Sequence, residues 1–129
     1  MDVEIFTLCE AANYDNNRLN ILGATDRIVV RYFPITFPQW AVALRLRFAK
    51  IEEGEKRIRI NIVDRDGKMI VSGETLIQAK APENTDSSSA NIVVIIHNLI
   101  LESAGDYAID LAINERQEGS LPLYVRKED

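Results

Sequence analysis

The stretch Leu101-Glu-Ser-Ala-Gly105-Asp-Tyr107-Ala-Ile109-Asp-Leu111-Ala-Ile113 decides the fold class. From Tyr107 onward, apolar side chains recur at every second position, the period of a strand with one buried face. Leu101 lies six residues before Tyr107 and Gly105 two before it. That spacing is similar to a tyrosine corner, in which the phenol ties the incoming connection to the next strand. The segment predicts a turn feeding a strand of an antiparallel β-sandwich, with Tyr107 as its anchor.

Upstream, Val3 to Ala11 alternates, and Phe6 and Leu8 make the other face apolar too, which predicts a strand at about 2–12. The Asn13–Asn17 cluster is a turn signal, because Asn and Asp tolerate left-handed backbone. A hairpin into Arg18–Leu22 is expected, with Gly23 as a bulge or a bend between sheets before Ile28–Val30. Pro34 and Pro38 should end ladder pairing and mark a crossover. Trp40, Val42, Leu44, Leu46 and Phe48 then alternate with Ala41, Ala43, Arg45 and Arg47, and Ile58, Ile60 and Ile62 alternate with Arg57, Arg59 and Asn61. These two strands are expected to form a hairpin with Phe48 opposite Ile58. Asp66-Gly67 predicts a type I′ turn into a strand over Met69–Ala79, which would place Arg59 opposite Glu74.

Ala81–Ala90 is polar and of low complexity, a mobile loop by its composition. Asn91–Leu101 is apolar on nearly every residue, and its β-branched content favours a strand. Such a strand needs cover on both faces, and a second copy of the chain could supply one of them. A last strand runs through Leu121, Leu123 and Val125. About eight strands with no helical period predict a sandwich.

The chain has 129 residues, 47% hydrophobic and 27% charged, as expected for one soluble domain over 1–129. Its net charge of -5 repels phosphate backbones and anionic lipid surfaces, which argues against nucleic acid and membrane partners. Cys9 is the sole cysteine, so no intrachain disulfide forms, and its apolar surroundings suit a core residue. No segment reaches the roughly 18 apolar residues of a membrane helix. The acidic start of the chain lacks the basic residues of a secretory signal, so a cytoplasmic protein is expected.

Four arginines, Arg45, Arg47, Arg57 and Arg59, should share one face of the expected hairpin. They read either as a solvated, ion-paired face or as a basic surface for a small anion, a carbohydrate or an acidic segment. His97 sits in an apolar run without an acid or nucleophile at a motif spacing, which predicts a core or interface histidine. One His and one Cys cannot build an ordinary zinc site, and no cofactor motif occurs, so no metal and no cofactor are expected. Tyr14, Phe33, Phe37 and Tyr124 are the candidate exposed rings, with Phe33 and Phe37 better read as loop anchors. Trp40 falls on the buried face of its strand.

The order Ile5-Phe-Thr-Leu-Cys-Glu-Ala-Ala12, Leu19-Asn-Ile-Leu-Gly-Ala-Thr-Asp-Arg-Ile28, Gly105-Asp-Tyr107 and Leu121-Pro-Leu-Tyr-Val125 resembles an uncharacterised family of small bacterial all-β domains. That resemblance implies a sandwich and a prokaryotic setting, and it carries over no functional residue. The expectation is an all-β, single antiparallel sandwich of the Ig-like, Greek-key type. It would act as a non-enzymatic binding or assembly module through a strand edge or the apolar Ile92–Leu101 surface, on a protein partner or on itself.

Overall fold

The computed structural model describes residues 1–129. Ten strands follow one another: β1 (Asp2–Cys9), β2 (Ala11–Asp15), β3 (Arg18–Leu22), β4 (Arg27–Val30), β5 (Ile35–Ala49), β6 (Gly54–Val63), β7 (Met69–Ala79), β8 (Ser87–Leu101), β9 (Gly105–Ile113) and β10 (Arg116–Lys127). They form three sheets, ordered β1-β5-β8, β4-β10-β9-β6-β7 and β2-β3. No helix is long and apolar enough to cross a membrane.

The chain is all-β, as its alternation predicts, but it has ten strands in three sheets rather than eight in one sandwich. The expected first strand breaks at Glu10, and β2 leaves β1 to pair with β3 in a separate hairpin. Gly23, at φ +69, then turns the chain from this hairpin into the five-stranded sheet, the bend expected of it. Pairing is antiparallel except for β4, which runs parallel to β10. Pro38 lies within β5 rather than ending it, because β1 pairs only with residues 41–47 and leaves that end of the strand free on one side. Likewise, Ser87–Ala90 belong to β8 and not to the preceding loop, since they pair with Leu46–Ala49.

One cluster of 22 buried residues joins the two larger sheets. Val42, Leu44, Leu46 and Phe48 of β5 and Ile92, Val94 and Ile96 of β8 pack with Ile58, Ile60 and Ile62 of β6 and Ile109 and Leu111 of β9. The expected β5–β6 hairpin does not form. β5 has β1 and β8 on its two sides, and the chain passes through a 3-10 turn at Lys50–Glu52 to place β6 in the opposite sheet. Two strands facing each other across a core carry the same alternation as two strands side by side, so the pattern does not distinguish them.

Turn chemistry shifts by similar local rules. Asn16-Asn17 and Asn114-Glu115 all have positive φ and close two-residue hairpins, the geometry of a type I′ turn. At the Asp66-Gly67 hairpin only Gly67 has positive φ, at +82. There the Gly67 N–H donates to the Asp64 carbonyl at 3.0 Å, which puts Arg65 and Asp66 at the centre of the turn, and the Asp64 carboxylate accepts the Asp66 and Lys68 N–H groups at 2.9 Å. A compensating shift near Val63 keeps Arg59 opposite Glu74.

Tyr107 is buried, and its hydroxyl donates to the Ser103 carbonyl at 2.8 Å. This is the tie expected of a tyrosine corner. Tyr107→Phe is expected to lower unfolding stability by about 1 kcal/mol in urea titrations, the net worth of one such bond. An unchanged midpoint would show that the corner contributes nothing.

β8 is indeed apolar on both faces, but its second cover comes from the same chain. On the outer side of the three-stranded sheet, Cys9, Ala41 and Ala43 are fully buried and pack with Ala12 and Leu19 of the β2–β3 hairpin and with Val93 and Ile95 of β8. The hairpin thus covers this surface at Val93 and Ile95, while Ile100 stays 46% exposed. The exposed edge at β4 is also blunted, since the Thr25 hydroxyl accepts the Arg27 N–H and donates to the Arg27 carbonyl, both at 3.0 Å.

Candidate anion-binding cleft

The outer face of β5 runs Ala41, Ala43, Arg45, Arg47, and the change from alanine to arginine coincides with the end of the β2–β3 hairpin. Small side chains let the hairpin lie close over Ala41 and Ala43. Beyond its tip the face opens into a cleft of about 600 Å³. Arg45, Arg47, Ser89 and Asn91 form its floor on β5 and β8, with Tyr14 and Asn17 of the hairpin on one side and Lys80 and Pro82 of the β7–β8 connection on the other.

Asn91 pins the hairpin tip by donating from Nδ2 to the Asn17 carbonyl at 3.1 Å. Arg45 Nε and Arg47 Nε reach opposite oxygens of Glu4 at 2.9 and 2.8 Å, and Arg47 Nη2 makes a longer contact at 3.4 Å. The same guanidiniums extend across the strands, Arg45 Nη1 to Asn91 Oδ1 at 3.2 Å and Arg47 Nη1 to Ser87 Oγ at 3.0 Å. These contacts fix both forks while leaving further N–H groups free, because a guanidinium has five. Hydrogen bonding from Arg47 holds the Glu4 carboxyl below the usual carboxylate range against its partial desolvation, with Arg45 adding to the effect. Glu4 is thus ionised at neutral pH and offsets one of the two arginines. With Lys80 included, three cations stand against Glu4 and the more distant Asp2, whose charge also acts on Arg47, and no carboxylate lines the cleft itself.

Arg57 and Arg59 do not join this site. They lie on the outer face of the other sheet, where Glu74 meets Arg57 Nε and Arg59 Nη2, each at 3.1 Å, and Glu115 stands 3.8 Å from Arg57. Two acids neutralise two arginines there, the solvated face that the exposed-pair reading describes. The predicted row of four is split because its two strands belong to different sheets.

Other expected sites fare unequally. His97 is exposed on β8 opposite Gln39, not in the core, because the hairpin cover extends over Val93 and Ile95 but not to it. Cys9 is fully buried, its thiol pushed up by that burial. Phe33 packs on the core from the connection before β5, Phe37 packs there from within β5 rather than from a loop, and Tyr124 is half-buried with Arg126 5.5 Å from its ring centre. Trp40 is half-buried with its ring edge-on to Phe37 at 5.7 Å. Tyr14, 61% exposed, is the one candidate ring that lines the cleft. Lys80, Asn17, Asn91 and the serines were not candidates from sequence, because they meet only where a hairpin, a strand and a loop converge.

A family of unknown function, DUF6941, matches residues 4–126. The chain belongs to DUF6941. No curated protein matches it. Among solved structures, this DUF6941 member is similar to a glycosyl hydrolase family 2 (GH2) member from Bacteroides cellulosilyticus, at 14% identity and a TM-score of 0.44 over 67% of this chain and 13% of that one. A second structure of a GH2 member from that organism gives 12% identity and a TM-score of 0.45, over 70% of this chain and 13% of that one. A beta-glucuronidase from glycoside hydrolase family 2 gives 14% identity and a TM-score of 0.43, over 70% and 11%. The DUF6941 chain thus spans only a small part of the length of those enzymes.

Proposed function

We propose that this protein is a non-enzymatic binding module that takes a small anion-bearing ligand in the Arg45–Arg47 cleft. The observation that carries this reading is a concentration of cations, with no carboxylate on its walls, in a chain whose net charge is -5. A local positive site in an acidic protein selects small anions, while the long-range field disfavours nucleic acid and anionic membranes. The reading takes the two larger sheets as the layers of an Ig-like sandwich and places the ligand on its outer face. A cytoplasmic setting fits the single cysteine, buried as a free thiol. Assembly through the apolar surface of β8 is the weaker reading, since the β2–β3 hairpin covers Val93 and Ile95.

Calorimetric titration with inorganic phosphate tests the proposal. Arg45→Ala with Arg47→Ala is expected to weaken binding by about tenfold or more, the scale of one charge-assisted hydrogen bond. Glu4→Gln should strengthen it by removing the internal competitor. Arg57→Ala with Arg59→Ala, on the opposite face, should leave it unchanged. Absence of phosphate binding, or equal weakening by both arginine pairs, would overturn the assignment.

A further inference from the structure

The cleft is far larger than one inorganic anion requires, and its walls differ in what they offer. Arg45, Arg47 and Lys80 only donate, which suits an acidic group. Asn17, Asn91, Ser87 and Ser89 both donate and accept, which suits hydroxyl groups, themselves donors and acceptors. Tyr14 adds an aromatic surface. It shares the sheet-facing side of the β2–β3 hairpin with Ala12 and Leu19, but lies one step beyond the covered alanines, where the residue remains 61% exposed. An exposed aromatic face beside polar groups offers an apolar platform on which the C–H face of a sugar ring can rest.

Resting on the anion-binding reading above, we infer that the ligand is a sugar bearing a carboxylate or a phosphate, its ring against Tyr14 and its acid toward Arg45, Arg47 and Lys80. The hairpin is then the specificity element. Its position is set by the Asn91–Asn17 hydrogen bond and by the packing of Ala12 and Leu19 over Cys9, Ala41 and Ala43.

Calorimetry on the full chain would compare glucose 6-phosphate with phosphate, galacturonate with acetate, and glucose alone. At least one acidic sugar is expected to bind about tenfold tighter than its parent anion, with glucose weaker than either. The better of the two sugars identifies the acid group. Tyr14→Ala should remove that advantage while leaving phosphate and acetate affinities unchanged, and Tyr14→Phe should restore it. The exposed ring makes both variants compatible with folding, which circular dichroism checks. If the sugars bind no tighter than their parent anions while phosphate still depends on Arg47, the sugar assignment fails and the anion site stands. If no anion binds, both fail.

Discussion

Leu44→Ala is expected to lower unfolding stability by about 3 kcal/mol or more. Leu44 is fully buried near the middle of β5, with Phe6 of β1 and Ile92 of β8 as its cross-strand neighbours. Its side chain belongs to the cluster joining the two larger sheets. Backbone hydrogen bonds to both neighbouring strands keep the sheet from collapsing into the space left behind, so the cavity persists and its cost adds to the lost transfer energy. For a domain with a total stability of roughly 5–15 kcal/mol, such a loss is a large fraction of the whole. Urea denaturation would read it as a lower midpoint with a similar slope. A loss below about 1 kcal/mol would mean that the two sheets are not packed as closely as described.

Ala43→Arg is expected to be comparably severe, by a different route. Ala43 sits next to Arg45 in the outward series of β5, yet it is fully buried beneath the hairpin with Cys9 and Ala41. An arginine there would enter the apolar cluster of Cys9, Ala41, Leu19, Val93 and Ile95, and burying it unpaired would cost several kcal/mol. Lifting the β2–β3 hairpin is the cheaper response, at about 3 kcal/mol for the apolar area of Leu19, Val93 and Ile95 returned to water. Hydrogen exchange should show the hairpin amides losing protection while those of β6 and β9 keep theirs. The variant should also lose any ligand affinity that depends on Tyr14, since the ring rides on the hairpin. Full retention of hairpin protection would show that the alanines are not its seat.

Ala43 and Arg45 also mark how much of the site was legible in the sequence. Alternation placed both on the outer face, and Arg45 and Arg47 were visible as candidates. The boundary between a covered and an open half of that face was written in the change from alanine to arginine. Its meaning required knowing that β2–β3 lies above it. Lys80, Asn17 and Asn91 carried no such signal, because single polar residues in turns and strand ends are ordinary until the fold brings them to one cleft. Gly73 was equally silent. A Cβ there would stand 2.8 Å from Val94 Cγ1 and 3.1 Å from the Ile95 carbonyl, so its role lies in the close approach of β7 to β8.

The sequence by itself determined that this chain is made of strands, which face of β5, β6 and β9 turns to the core, and that Tyr107 closes a corner. These properties follow from period-two alternation and from turn residues, and both act over a few neighbouring positions. The tertiary structure alone decided which strands share a sheet, that Arg57 and Arg59 part from Arg45 and Arg47, and that the second face of β8 is covered from within at Val93 and Ile95. Strand partnership depends on contacts between residues far apart in the chain. Because β5 and β6 present the same apolar-in, arginine-out pattern whether they lie side by side or face each other, only the packed molecule distinguishes a row of four arginines from one cleft with two.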